Sequence, residues 1–213
     1  MNMNILVVFY SMTGNTAKLA KAITEGAETE GATTRLRQVK ELIPQSVIDS
    51  REDLKAIKEQ LKDIPYATNK DLHWADGVAF GSPTRYGNMA AQLKEFIDGT
   101  GGLWLSGALV GKVASVFTST ATQHGGQEST LLSMMNTLFH LGYILQGLPY
   151  AEAAQMDMSG IHGGTPYGVS SVSGLDSKRA PTEIDLQLAH AVGKRLAQTA
   201  KALSEAKRSQ KAA

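Results

Sequence analysis

Near its start the chain carries a run of small polar residues, Ser11-Met12-Thr13-Gly14-Asn15-Thr16, between an apolar run and a helical pattern. Its hydroxyls and amides are hydrogen-bond donors, and Gly14 lets the backbone come close to a ligand. A helix that begins directly after the loop adds unpaired amides, which attract an anion. The run therefore predicts a site for a phosphate monoester, and a plain helix N-cap is the alternative interpretation.

The same loop excludes two common nucleotide-binding classes. It contains no lysine, so it lacks the Gly-Lys-Ser/Thr signature of nucleoside triphosphatases. The Gly-x-Gly-x-x-Gly fingerprint of dinucleotide-binding dehydrogenases is also absent.

A second polar segment, Ser82-Pro83-Thr84-Arg85-Tyr86-Gly87-Asn88-Met89, follows another apolar run. It combines a rigid proline, donors on Thr84 and Arg85, and a flat ring on Tyr86. The residues Gly87 and Asn88 allow main-chain amides to turn inward. Such a set suits the polar edge of a planar ring that gains negative charge on reduction, as an isoalloxazine does.

A third segment of the same character is Thr118-Ser119-Thr120-Ala121-Thr122-Gln123-His124-Gly125-Gly126-Gln127-Glu128. We expect it to close over the other face of the ring. A flexible surface loop is the alternative interpretation, because the segment is rich in glycine.

Apolar runs precede all three segments, at residues 4–10, 76–81 and 112–119. Nearly unbroken apolar runs are typical of strands buried in a parallel sheet. A more exposed strand at 33–39 and a fifth at 142–146, with helical patterns between strands, complete an alternating order. The sequence thus predicts an α/β fold with a doubly wound, five-stranded parallel sheet and helices on both faces. Ligands bind at the carboxyl edge of such a sheet, where the three loops meet.

We predict one domain over residues 1–206. A charged segment at about 40–74, between Pro44 and Pro65, is interpreted as an insertion after the second strand. A helix is expected from about Asn88 and another from 182 to about 206. The basic tail at 207–213 is expected to be frayed.

The composition excludes several classes of partner and chemistry. The 213 residues include 21 Lys and Arg and 20 Asp and Glu, so neither nucleic acid nor an anionic membrane is an expected partner. With no cysteine, thiolate catalysis and iron–sulfur clusters are excluded. No histidine or carboxylate spacing indicates a metal site. The start lacks a signal peptide and a membrane span, so a cytoplasmic protein is expected.

A long stretch with few charged residues is relevant to the assembly of subunits. Between residues 99 and 151 the only formally charged side chains are Lys112 and Glu128. We interpret this stretch as a surface buried between subunits, and an ordinary domain interior is the alternative.

The motifs together resemble one family, the flavodoxin-like NAD(P)H:quinone oxidoreductases of the tryptophan-repressor-binding-protein type, called WrbA. The resemblance covers nearly the whole chain and rests on the second segment and on four further motifs: Gly101-Gly102-Leu103-Trp104, Gly107-Ala108-Leu109, Gly125-Gly126-Gln127-Glu128 and Gly163-Gly164-Thr165-Pro166-Tyr167-Gly168. It implies FMN as cofactor, NADH or NADPH as reductant, quinones as substrates, and a homotetramer whose sites are completed by neighbouring subunits.

The resemblance also implies roles for particular residues. Residues 11–16 would hold the FMN phosphate, and 83–88 would hold the flavin ring. Residues 119–125 would hold the rest of the ring and the ribityl chain. His140 would contact FMN, and Trp104 would lie near the nicotinamide or quinone, contributed by a neighbouring chain. Arg85, Trp104 and His140 are the expected catalytic residues.

The predicted activity is a ping-pong reaction, in which NAD(P)H reduces FMN by hydride transfer and a quinone then takes two electrons. Arg85 and loop amides are expected to stabilise the reduced flavin. The alternatives are a flavodoxin-like electron carrier or a regulatory FMN-binding protein. A repressor-binding role, which the family name suggests, has no basic or groove-reading feature behind it.

Overall fold

The computed structural model describes residues 3–212. Strand β1 (Asn4–Phe9) lies at the centre of the sheet and is buried along nearly its whole length. It pairs in parallel with β2 (Thr33–Gln38) on one side and with β3 (Gly77–Arg85) on the other. Strand β2 forms an edge, which explains its two arginines. Further along, β3 pairs in parallel with β5 (Val113–Thr120).

The short strand β4 (Asn88–Met89) returns antiparallel on the end of β3. The prediction of a helix from about Asn88 was therefore wrong: helix α5 (Ala91–Asp98) begins three residues later. The reason is that β3 continues beyond the sheet as a hairpin, whose return strand occupies Asn88 and Met89.

The fifth position of the sheet is divided between two short strands. Strand β6 (Ile144–Leu145) pairs with the first residues of β5, and β7 (Val169–Val172) pairs with its last four. The sequence prediction placed a single strand at 142–146 and did not include β7. Between the two strands the chain leaves the sheet and forms a short 3-10 helix (Ala153–Met156). The order β2-β1-β3-β5-β6/β7 confirms the doubly wound parallel sheet.

Alternate side chains of β1 supply the cores on the two faces of the sheet. Ile5, Val7 and Phe9 pack in one core with α1 (Asn15–Thr29) and α8 (Glu183–Ala212). Leu6 and Val8 point into the other, where α5, α7 (Gln127–His140) and α4 (Asn69–Trp74) pack. Helices therefore cover both faces of the sheet, as expected.

The segment between β2 and β3 contains three helices, α2 (Gln45–Asp49), α3 (Glu52–Leu61) and α4. Thr68 and Asp71 form a reciprocal capping box at the start of α4. A further short helix, α6 (Gly101–Leu105), follows α5. The C-terminal helix continues to Ala212 instead of ending near 206, and Ala213 lies outside the described residues. None of the helices in the described part of the chain has the length and apolar character to cross a membrane.

Candidate functional site

The first polar loop connects β1 to α1 and is folded around one hydroxyl. Ser11 Oγ accepts hydrogen bonds from the amides of Gly14 at 3.1 Å and Ala17 at 3.3 Å. Gly14 has a φ of 100° and offers no side chain to cap α1, whose first turn contains no acidic residue. The first amides of a helix lack intrahelical partners, so this loop presents donors in a setting that favours an anion.

The second loop is a tight hairpin that joins β3 to β4. Residues Tyr86 and Gly87 occupy its two central positions with φ of 54° and 76°. A two-residue hairpin turn with positive φ at both positions matches the twist of its two strands. Glycine adopts a positive φ without steric strain. The Tyr86 side chain is fully exposed at the tip. The hairpin therefore projects from the carboxyl edge of the sheet.

Arg85 connects the second loop with the first. Its Nη1 donates to the carbonyl of Thr84 at 2.8 Å, and its Nη2 lies 3.0 Å from Met12 Sδ. Both partners are uncharged, so the guanidinium brings a positive charge to the edge between the two loops.

The third loop contacts the second through glycine. A Cβ on Gly126 would lie 3.1 Å from the Cα of Gly87, and Gly126 itself has a φ of 99°. The hydroxyl of Thr130, in the first turn of α7 directly after the third loop, donates to the hydroxyl of Thr84 at 2.7 Å. Ser119 and Thr120 belong to β5 and are buried, whereas residues 121–125 form the exposed part of the loop. Within one chain, all three predicted loops thus meet.

A fourth loop, residues 173–182 after β7, reaches the same edge and was missed by sequence reasoning. Asn15 Nδ2 donates to the carbonyl of Arg179 at 2.8 Å, and the amide of Ser173 donates to the carbonyl of Thr120 at 2.8 Å. The fourth loop therefore contacts both the first and the third. The only signal for β7 in the sequence is the five residues between Gly168 and Gly174, a run that is too short to separate from a turn.

A partly buried carboxylate, Glu41, lies next to Tyr10 in the segment after β2. Both of its oxygens lie 3.1 Å from the hydroxyl of Tyr10, which donates to them, and Gln92 Nε2 donates at 2.7 Å. Lys58 of α3 also pairs with it. Burial raises the pKa of Glu41, but the hydrogen bonds from Lys58, the Ile43 amide and Gln92 outweigh it and hold the pKa at about 2. This ionised group fastens the β2–β3 segment under the site.

The same network keeps Tyr10 protonated. Burial and the charge of Glu41 raise the pKa of the Tyr10 hydroxyl, and Arg85 partly opposes them. Tyr10 directly precedes Ser11, so the network holds the end of β1 from which the first loop departs. Ile57 of α3 packs against the first loop at Gly14. A Cβ on Gly14 would lie only 3.0 Å from Ile57 Cδ1.

Two expected site residues lie elsewhere in the chain. His140 is the last residue of α7, about 20 Å from the start of that helix by its rise. Trp104 is in α6, which connects the far end of α5 to the start of β5, and its side chain is 59% exposed. Both therefore lie towards the amino edge of the sheet, and one chain does not bring them together with the four loops.

A family model described as "NADPH-dependent FMN reductase" matches residues 3–155. The chain belongs to this family. Proteins named "NAD(P)H dehydrogenase (quinone)" are similar over almost their whole length. The one from Aromatoleum aromaticum is 47% identical over 202 residues, which cover 94% of this chain and 97% of the relative. The one from Geotalea daltonii is 49% identical over 199 residues, covering 93% and 97%. The family resemblance inferred from the motifs is confirmed.

Solved structures agree on the fold. The flavodoxin, WrbA-like protein from Agrobacterium tumefaciens is 24% identical, with a TM-score of 0.60 and coverage of 94% of this chain and 98% of that one. A flavodoxin from the domain Archaea is 20% identical, with a TM-score of 0.61 and coverage of 93% and 99%. The family member described here therefore has the flavodoxin-like fold that the motifs implied.

Proposed function

We propose that the chain is an FMN-dependent NAD(P)H:quinone oxidoreductase. The observation that carries the proposal is the meeting of three donor-rich loops at the carboxyl edge of the sheet, joined by the contacts of Arg85 with Met12 and of Gly126 with Gly87. The names of relatives that are 47–49% identical over nearly the full length support the same activity.

The donor set suits FMN in its charge and its shape. Residues 11–16 and 82–88 include no aspartate or glutamate, and the only carboxylate of the third segment is Glu128 in the first turn of α7. The first two loops therefore hold no carboxylate that would repel a phosphate or a reduced ring. Residues 11–16 would hold the phosphate with hydroxyls and amides. Thr84, Arg85 and the glycines of the second and third loops would flank the ring. The two loops lie so close together that a Cβ on Gly126 would be only 3.1 Å from the Cα of Gly87, so this position favours glycine.

When bound, FMN accepts a hydride from NAD(P)H and passes two electrons to a quinone. Arg85, held between Thr84 and Met12, would place a positive charge beside a bound ring and would stabilise negative charge that develops there. The hydrogen-bond network of Glu41 holds Tyr10 at the end of β1, from which the first loop departs. No side-chain nucleophile is required, so the chain binds, orients and excludes water.

We further propose that Trp104 and His140 reach the site from a neighbouring copy in a homotetramer. Exposed apolar side chains lie around them near the amino edge: Leu105 at 81%, Val110 at 63% and Phe139 at 63% exposed. Apolar groups of this size on a surface are typical of subunit contacts. Light scattering should give four times the mass of one chain, and a monomer with full quinone turnover would exclude the neighbour's contribution.

The test is to load the purified protein with FMN, remove the excess, and follow NADH consumption before and after benzoquinone is added. The proposal expects rapid consumption only when FMN and quinone are both present. Bound FMN without turnover would indicate the electron carrier instead, and absence of FMN binding would refute the site.

Arg85→Ala tests the role of the guanidinium. We expect quinone turnover to fall by about tenfold, because a hydrogen-bonded charge at the ring is lost, while FMN stays bound. Arg51→Ala is the matched control, since Arg51 is an exposed arginine whose ion pair is with Asp53 and not with a residue of the loops. Equal turnover in the two variants would refute the role of Arg85.

A further inference from the structure

The fourth loop is organised around a single residue, Arg179. Its Nη1 donates to the carbonyl of Val172 at 2.6 Å, and its Nη2 donates to the carbonyl of Ile161. Its own amide donates to the carbonyl of Ser173 at 2.9 Å. Arg179 thus joins the end of β7 to the segment that divides the fifth strand position, and these three bonds hold its backbone in place.

The carbonyl that is held in this way points to the first loop. Asn15 is buried, and its Nδ2 donates to the carbonyl of Arg179 at 2.8 Å. An asparagine amide has donors on one side and an acceptor on the other, and it can exchange them by rotating. The carbonyl oxygen of Arg179 can accept a hydrogen bond only from the NH2 group of Asn15, not from its oxygen. It therefore fixes the orientation of the Asn15 amide.

From these contacts we propose that Arg179 is a positioning residue that sets the affinity of the site for the phosphate end of FMN, through Asn15. While the Asn15 nitrogen donates one N–H to the Arg179 carbonyl, its second N–H can donate to the phosphate. In this orientation the Asn15 oxygen does not face the phosphate. If the carbonyl moves, the amide can turn and present an acceptor to the phosphate, which repels it. This inference rests on the proposed function, because it requires FMN at the first loop.

Riboflavin has the same ring as FMN but no phosphate. Comparing the two flavins therefore separates an effect of Arg179 on phosphate binding from a general disturbance of the fold. We expect Arg179→Ala to weaken FMN binding about tenfold, as the loss of a bond to a charged group does, and to leave riboflavin affinity within twofold. Arg179→Lys should recover part of the loss, since an ammonium group reaches one carbonyl but not two in the fork geometry of arginine.

The measurement is flavin fluorescence titrated with flavin-free full-length protein, for FMN and riboflavin in parallel. Lys178→Ala is the matched control, because it removes a neighbouring exposed cation, and its FMN affinity should stay within twofold. Thermal unfolding of each flavin-free variant shows that it is folded.

A mutant cycle tests the route through Asn15. Asn15→Ala should also weaken FMN binding, and the double variant should bind no more weakly than Asn15→Ala alone. Additive losses, equal losses for both flavins, or unchanged FMN affinity in Arg179→Ala would each overturn the inference. A wild-type protein that binds FMN no tighter than riboflavin would overturn the proposed phosphate site, and this inference with it. If the ratio of the riboflavin and FMN dissociation constants is the same in Arg179→Ala as in the wild type, this inference alone is overturned.

Discussion

The close packing of α1 against α8 allows a sharp prediction about stability. Gly193 of α8 approaches α1 so closely that a Cβ there would lie 1.9 Å from the carbonyl oxygen of Ile23 and 2.9 Å from the amide of Ala27. The contact is reciprocal, because a Cβ on Gly26 would lie 2.0 Å from the carbonyl oxygen of His190. The clashing atoms are backbone, so no side-chain rotation relieves the overlap.

Gly193→Ala should therefore destabilise the fold despite the better helix propensity of alanine. Ordinary contact begins at 3.4 Å, so the two helices must separate by about 1.5 Å. A gap of this size forfeits much of the dispersion energy of the buried side chains around it. Overpacking costs up to about 3 kcal/mol or more, and alanine regains about 1 kcal/mol in a helix. The expected net loss is about 2–3 kcal/mol.

Thermal unfolding monitored by circular dichroism measures this loss. For a chain of this size we expect the midpoint to fall by about 5–10 °C. Gly102→Ala in α6 is the control, because it adds the same methyl group at a position where no atom of the described residues 3–212 lies within 4 Å, and its midpoint should stay the same or rise. If Gly193→Ala unfolds at the temperature of this control, the steric reasoning is refuted.

Three further predictions concern the loops and the buried polar groups. The folded pKa of Glu41, about 2, lies below the unfolded value of 4.5, so its contribution is complete above pH 4.5 and is lost as the pH falls towards 2. Because Glu41 is only partly buried, solvent screening reduces its contribution below that of the full pKa shift, and we expect acid titration of stability to show a loss of roughly 1–2 kcal/mol in this window. Glu41→Gln should flatten this part of the curve, and parallel curves would contradict the assignment. Gly126→Ala should weaken FMN binding at least tenfold, because it forces the second and third loops apart and strains a φ of 99°; an unchanged dissociation constant in a flavin titration would count against the ring site. The hydroxyl of Tyr143 is buried without a partner in the described part of the chain, so Tyr143→Phe should unfold in urea at the same concentration as the wild type or higher; a lower midpoint would mean that the hydroxyl is satisfied.

The local sequence pattern was sufficient to predict most of the strands of the sheet and three of the loops that follow them. The apolar runs at β1, β3 and β5 are buried on both faces, so their composition alone separates them from the surrounding helices. Each is followed by small polar residues, and parallel strands bring their carboxyl ends to one edge. The meeting of these loops, and the donor chemistry that they offer, could therefore be predicted without coordinates.

The sequence by itself determined the central strands β1, β3 and β5, the meeting of the three loops that follow them at one edge, and that any redox chemistry must use a group other than cysteine. Only the tertiary structure decided that β7 completes the sheet, that its loop carries Arg179 to Asn15, and that Glu41 lies beneath Tyr10. These contacts join residues 31 to 164 positions apart. No local pattern encodes them, because they depend on which loop the folded backbone brings next to which.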